Sequence, residues 1–114
     1  MPQAFEVRFS AEAERDLERI GEYIAVHGSP ALALAQIREI RDKVNALASF
    51  PERGSVPKEL ERTGSRQYKQ IVAGPYRIFY EVNDRVVAIL LVADGRRDMP
   101  TLLAARLHAR PLAG

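Results

Sequence analysis

The apolar positions of this chain follow two periods, near 2 and near 3.6 residues, and the places where one gives way to the other mark its elements. From Phe5 to Phe9, apolar and charged residues alternate one by one, which predicts a short strand with one buried face. Ala13, Leu17, Ile20 and Ile24 then recur at steps of four, three and four, forming a single apolar stripe. That spacing predicts a helix from about Ala11 to about Val26. Ser10 is suited to cap it, and Glu12, Glu14 and Asp16 lie in or near the first turns, where the helix dipole favours negative charge. His27-Gly28-Ser29-Pro30 closes this helix and opens the next, with glycine on the C-cap side, serine as the new N-cap and proline in the first turn. Ala33, Ile37, Ile40, Val44 and Leu47 repeat the stripe over a second helix of nearly twenty residues, which Phe50-Pro51 ends. Two antiparallel helices joined so tightly form an αα-hairpin, and its paired stripes need an apolar surface to cover.

That surface comes from Arg66 to Asp98, which reads as three consecutive strands. Ala73-Gly74-Pro75 separates the first two, and Asn83-Asp84 is the predicted two-residue hairpin loop between the second and third. In the middle strand Tyr76, Ile78, Tyr80 and Val82 face the core, while Arg77, Phe79 and Glu81 face the other way. The last strand, Val86 to Val92, is continuously apolar, as befits a strand inside the sheet. It then delivers the charged segment Asp94-Gly95-Arg96-Arg97-Asp98. The predicted fold class is α+β: an N-terminal strand, an αα-hairpin and a three-stranded antiparallel meander, making a four-stranded sheet, with a short C-terminal helix near Thr101 to Leu107. Nothing in the pattern fixes where the first strand docks. Glu52 to Gly64 reads as a surface loop anchored by Val56 and Leu60, and Pro111 to Gly114 as a frayed end. Leu17, Ile20, Ile37, Val44, Ile78 and Leu90 are expected to pack together.

Length and composition narrow the chemistry. The chain has 114 residues, 46% of them hydrophobic, which suits one domain, residues 1–114, with one modest core and any site on a surface or shallow groove. Without cysteine there are no disulfides, thiolate metal sites or cysteine nucleophiles, and two histidines, His27 and His108, are too few for a metal site or a Ser/His/Asp triad. His27 reads as a C-terminal helix residue interacting with the dipole, and His108 as a poorly placed base. No cofactor or metal is expected. No apolar run reaches the length of a membrane span and no secretion signal opens the chain, so no membrane association and a cytoplasmic location are expected. Charge is uneven: Met1 to Glu61 carries 8 basic and 11 acidic residues, net −3, whereas Arg62 to Gly114 carries 9 basic and 4 acidic, net +5. An acidic or phosphate-rich partner on the sheet side fits this asymmetry, as does an ordinary solvated surface.

Three segments in this order resemble the RelE/ParE superfamily of toxins from type II toxin–antitoxin modules. They are Arg15 to Ala25 in the first helix, the exit Leu47 to Gly54 containing Phe50-Pro51-Glu52-Arg53-Gly54, and the meander Tyr76 to Val82 followed by Val92 to Asp98. The resemblance spans roughly Phe5 to Arg106, and the long hairpin and the Phe-Pro exit are closer to the ParE branch. It implies growth arrest, plasmid stabilisation and a cognate antitoxin whose C-terminal segment wraps the toxin. For the ParE branch it implies inhibition of DNA gyrase without nuclease chemistry. The alternatives are the ribosome-dependent cleavage of messenger RNA found in the RelE branch, and a non-toxic interaction domain of the same fold. For a ribonuclease the resemblance points to Lys69, Arg77 and Arg97 as catalytic cations. However, Leu103 or a neighbour stands where that branch often has an aromatic residue, and Ile71 replaces a second lysine. Arg66, Lys69, Arg77, Arg96, Arg97 and Asp98 are the expected target- or antitoxin-binding residues. Arg77 has a plainer reading too, as the partner of Glu81 or of a cross-strand acid. Tyr76 and Tyr80 read as core residues with hydroxyls at the rim.

Overall fold

The computed structural model describes residues 4–108. Its elements are β1 (Glu6–Phe9), α1 (Ala11–His27), α2 (Pro30–Asn45), β2 (Tyr68–Ala73), β3 (Tyr76–Asn83), β4 (Val86–Asp94) and α3 (Met99–His108). The helix boundaries follow the capping chemistry. Ser10 Oγ accepts the Ala13 N–H at 3.0 Å, Ser29 Oγ accepts the Leu32 N–H at 3.0 Å, and the Gly28 N–H donates to the Ile24 carbonyl. At its far end α2 tightens into a 3-10 turn, Ala46–Ala48, whose last carbonyl accepts the Phe5 N–H at 2.8 Å.

The four strands lie in the order β1-β4-β3-β2. β2, β3 and β4 form the expected antiparallel meander, and β1 docks parallel to β4 from Glu6↔Val86 to Phe9↔Ile89. The position of the first strand, open in the sequence, is thus beside the last one. The second hairpin loop is displaced by one residue from its predicted place. Asn83 still pairs with Val86, so the loop is Asp84-Arg85, and Asp84 takes the left-handed conformation at φ 53°. Gly74 does the same at φ 58° in the first hairpin.

Both faces of the sheet are covered. The hairpin lays Ala13, Leu17, Ile40, Val44 and Leu47 on Ile78, Tyr80, Val87, Ile89 and Val92. On the opposite face, α3 packs Met99 and Leu103 against Phe79, Leu91 and Ala93. A bulge in β4 makes this possible: Tyr80 pairs with Ile89 and Phe79 with Leu91, which leaves Leu90 between them without a ladder partner. The extra residue inverts the alternation, so Ile89 and Val92 share one face. Leu90 is buried but does not join the cluster around Leu17 as expected, and Ile20 and Ile37 sit at the margin of that cluster, half-buried.

The segment expected as a plain loop contains a 3-10 helix, Lys58–Thr63, ended by Gly64 at φ 70°. Pro57, as well as Val56 and Leu60, anchors it. Residues 109–114, with the end expected to fray, lie outside the described residues.

Candidate functional site: an arginine-lined groove at the end of the sheet

β1 covers β4 only as far as Ile89, leaving the outer edge of Leu90 to Asp94 without a strand. Side chains take over there. Asp16, on the sheet-facing side of α1, accepts the Val92 N–H through Oδ2 at 2.9 Å. Arg106 of α3 donates from Nη1 to that oxygen at 2.9 Å and from Nη2 to Oδ1 at 3.0 Å, and Nη1 also reaches the Leu90 carbonyl at 2.7 Å. The pair therefore supplies what a missing strand would have supplied to the bulge. The hydrogen bond to Asp16 raises the Arg106 pKa above its ordinary value. Asp16 is buried, so its role is to bind the sheet and α3, beyond the helix-dipole role expected of it.

Above this clamp lies a groove of about 510 Å³ between α1 and the end of the sheet. Ile20, Tyr76 and Val92 line its apolar part, and Arg19, Arg96 and Arg97 its cationic part. Burial raises the Tyr76 hydroxyl pKa, with the Asp94 carboxylate adding to the effect. Asp94 accepts from Arg96 three times, at 2.8 and 3.0 Å from the guanidinium and 2.9 Å from the backbone N–H. These bonds lower its pKa to about 2. The Arg96 side chain remains 89% exposed, so Asp94 orients the guanidinium at the rim without enclosing it. Asp98 has a structural occupation: its carboxylate accepts the Thr101 hydroxyl at 2.7 Å and N–H at 3.4 Å at the start of α3.

The other expected cations lie elsewhere. Arg77 is on the α3 face of the sheet, where its Nη1 and Nη2 each donate to Glu59 at 2.8 Å and its Nε donates to Gln70 at 2.7 Å. Its guanidinium also lies 4.9 Å from the centre of the Phe79 ring. The partner is neither Glu81 nor a cross-strand acid but the 3-10 segment's Glu59, whose pKa the Arg77 hydrogen bonds lower. Only 14% of the Arg77 side chain and 11% of the Glu59 side chain are exposed. Glu81 accepts instead from Gln67 at 2.9 Å.

Lys69 pairs with Tyr80 in the ladder and so projects to the hairpin face, with its ammonium 3.2 Å from Glu52. It shares a shallow groove of about 580 Å³ with Arg66. Lys69 and Arg77 therefore stand on opposite faces of the sheet, and Arg97 beyond its end. Tyr80 has the core role expected of it. Its hydroxyl donates to the Pro51 carbonyl at 2.9 Å and accepts the Gly54 N–H at 2.9 Å, holding the Phe50 to Gly54 exit in place. A Cβ on Gly54 would lie 2.6 Å from both that hydroxyl and the Gln70 carbonyl oxygen, which explains the glycine. His27 donates from Nδ1 to the Tyr23 carbonyl at 3.0 Å at the end of α1, in keeping with its reading. Among the described residues, no three His, Asp or Glu side chains converge on a possible metal position, and no helix is long and apolar enough to cross a membrane.

This α+β arrangement of a hairpin on a four-stranded sheet is shared by solved toxin structures. The chromosomal ParDE toxin–antitoxin system of P. aeruginosa matches with a TM-score of 0.66 at 17% identity, covering 80% of this chain and 96% of the other. E. coli toxin RelE in the free state matches with 0.61 at 15% identity over 91% and 97%. The toxin–antitoxin complex RelBE2 of Mycobacterium tuberculosis matches with 0.55 at 24% identity over 80% and 98%. In sequence, toxin ParE3 of Caulobacter vibrioides is 28% identical over 91 residues, which is 80% of this chain and 87% of that protein. The family model for the ParE toxin of the type II toxin–antitoxin system parDE matches residues 7–99. The chain belongs to this ParE toxin family, within the RelE/ParE superfamily.

Proposed function

We propose that this toxin acts on DNA gyrase and is neutralised by a cognate antitoxin whose acidic, apolar segment lies in the groove of Arg19, Arg96 and Arg97. The observation that carries the choice of target is the state of Arg77. A nuclease of this fold needs cations free to stabilise charge developing on a scissile phosphate. Arg77 has committed three donors to Glu59 and Gln70 and is largely enclosed, and freeing it would leave the Glu59 carboxylate unpaired in a covered site. Lys69 and Arg97, on the far face and beyond the sheet end, do not join it in one constellation. A protein target requires no such convergence. Arginines around an apolar floor also suit an antitoxin segment that orders as it binds.

The test is direct. Purified protein added to gyrase, ATP and relaxed plasmid is expected to block supercoiling or accumulate cleaved DNA, while translating ribosomes show no new messenger breaks. Codon-positioned cleavage, lost in Arg77→Ala and Arg97→Ala with gyrase unaffected, would overturn the gyrase reading in favour of the ribonuclease.

A further inference from the structure

We propose that the tip of the helical hairpin is a self-association surface on which a second copy of this chain packs. Fifteen consecutive residues, Tyr23 to Ile37, contain no Asp, Glu, Lys or Arg, in a chain of which 28% is charged. They form the end of α1, the turn and the start of α2, and nine of them are exposed. Of the six large apolar side chains left exposed among the described residues, four belong to this tip: Tyr23 at 63%, Val26 at 78%, Leu32 at 55% and Leu34 at 59%.

The charge pattern selects the occupant. A nucleic acid or an anionic membrane would need cations here, and an acidic segment finds them in the arginine groove, which Tyr23 borders but whose lining includes none of Val26, Leu32 and Leu34. A two-fold contact, by contrast, brings the residues around its axis against their own copies, where a charge would meet a like charge. An uncharged, apolar surface is thus complementary to itself, and a second hairpin laid against it extends the helix packing into a four-helix arrangement. The tip is small. A standard interface takes roughly 800 Å² and 20 to 30 residues from each partner, so nine exposed residues support a weak, dissociable dimer.

Sedimentation equilibrium of the full chain from about 1 to about 500 μM, a range bracketing weak interfaces, tests this. The average mass is expected to rise from 12.8 kDa toward twice that value. Val26→Asp and Leu34→Asp, both at exposed positions, are expected to raise the dissociation constant at least tenfold without changing the melting temperature appreciably. A wild-type protein that stays monomeric throughout overturns the proposal, as it would if a neutral foreign protein were the true occupant. Variants that dimerise like the wild type overturn it too, because the contact then lies elsewhere.

Discussion

Arg106 and Asp16 are ninety positions apart in sequence, yet their side chains meet in two hydrogen bonds and together complete the edge of β4. Helix, sheet and C-terminal helix are joined at this one point. Truncating Arg106 leaves a buried carboxylate and the Leu90 carbonyl without that donor. Arg106→Leu is expected to destabilise the protein by about 3 kcal/mol, the lower end for a broken buried pair because the arginine is not fully enclosed. Asp16→Leu combined with Arg106→Leu should recover part of the loss. Chemical denaturation of the three variants measures both effects, and an Arg106→Leu protein within about 0.5 kcal/mol of wild type, the scale of ordinary surface changes, would show that the clamp carries no weight.

Tyr80 and Gly54 provide a second measurable contact. Tyr80→Phe removes the donor to Pro51 and the acceptor for Gly54, with an expected cost of about 1 to 3 kcal/mol. Gly54→Ala should cost at least as much, since its methyl group meets a carbonyl oxygen as well as the hydroxyl. Equal stability of Gly54→Ala and wild type by thermal melting would contradict this packing.

The Asp94–Arg96 pair makes a pH prediction. The folded pKa of Asp94, about 2, lies below the ordinary 3.8, so the contribution of the pair is complete above pH 4 and is lost as the pH falls toward 2. Arg96→Gln should return the Asp94 pKa toward 3.8. A carboxyl carbon NMR titration that finds the same midpoint in both proteins would remove the pair as the cause.

For antitoxin docking, Arg97→Glu and Arg19→Glu are expected to weaken the complex at least tenfold, whereas Arg15→Glu, outside the groove lining, should change it less than threefold. Titration calorimetry with the cognate antitoxin distinguishes these outcomes. Equal losses at Arg15 and Arg97 would move the docking surface to the outer side of α1.

How much of this was legible before folding depends on the range of the interaction. Ser10, Ser29 and Gly28 act within a few residues, so the helix ends are readable from sequence alone. The bulge is not: Val86 to Val92 is apolar throughout, so its two faces carry no contrast from which Leu90 could be singled out. Asp16 offered a faint signal, since it lies beside Leu17 in phase with the apolar stripe, where a charge needs a buried partner. Arg106 stands in similar phase to Leu103 in α3. The Glu59–Arg77 pair had no local signature, because the course of the 52–64 segment decides which acid arrives. For the same reason the basic residues read as one site divide among a groove, a covered ion pair and a far face.

The sheet joins the first strand made to the last. β1 leaves the ribosome with no partner, and Val86 to Ile89 follow only after the whole hairpin and both other strands have been synthesised. At about 5 to 20 residues per second this is a wait on the order of ten seconds, during which the hairpin stripes have no complete sheet to rest on. Closure of this long-range pairing belongs to the end of synthesis. A nascent chain therefore cannot complete its sheet, or the groove at the end of β4, until its last strand is available.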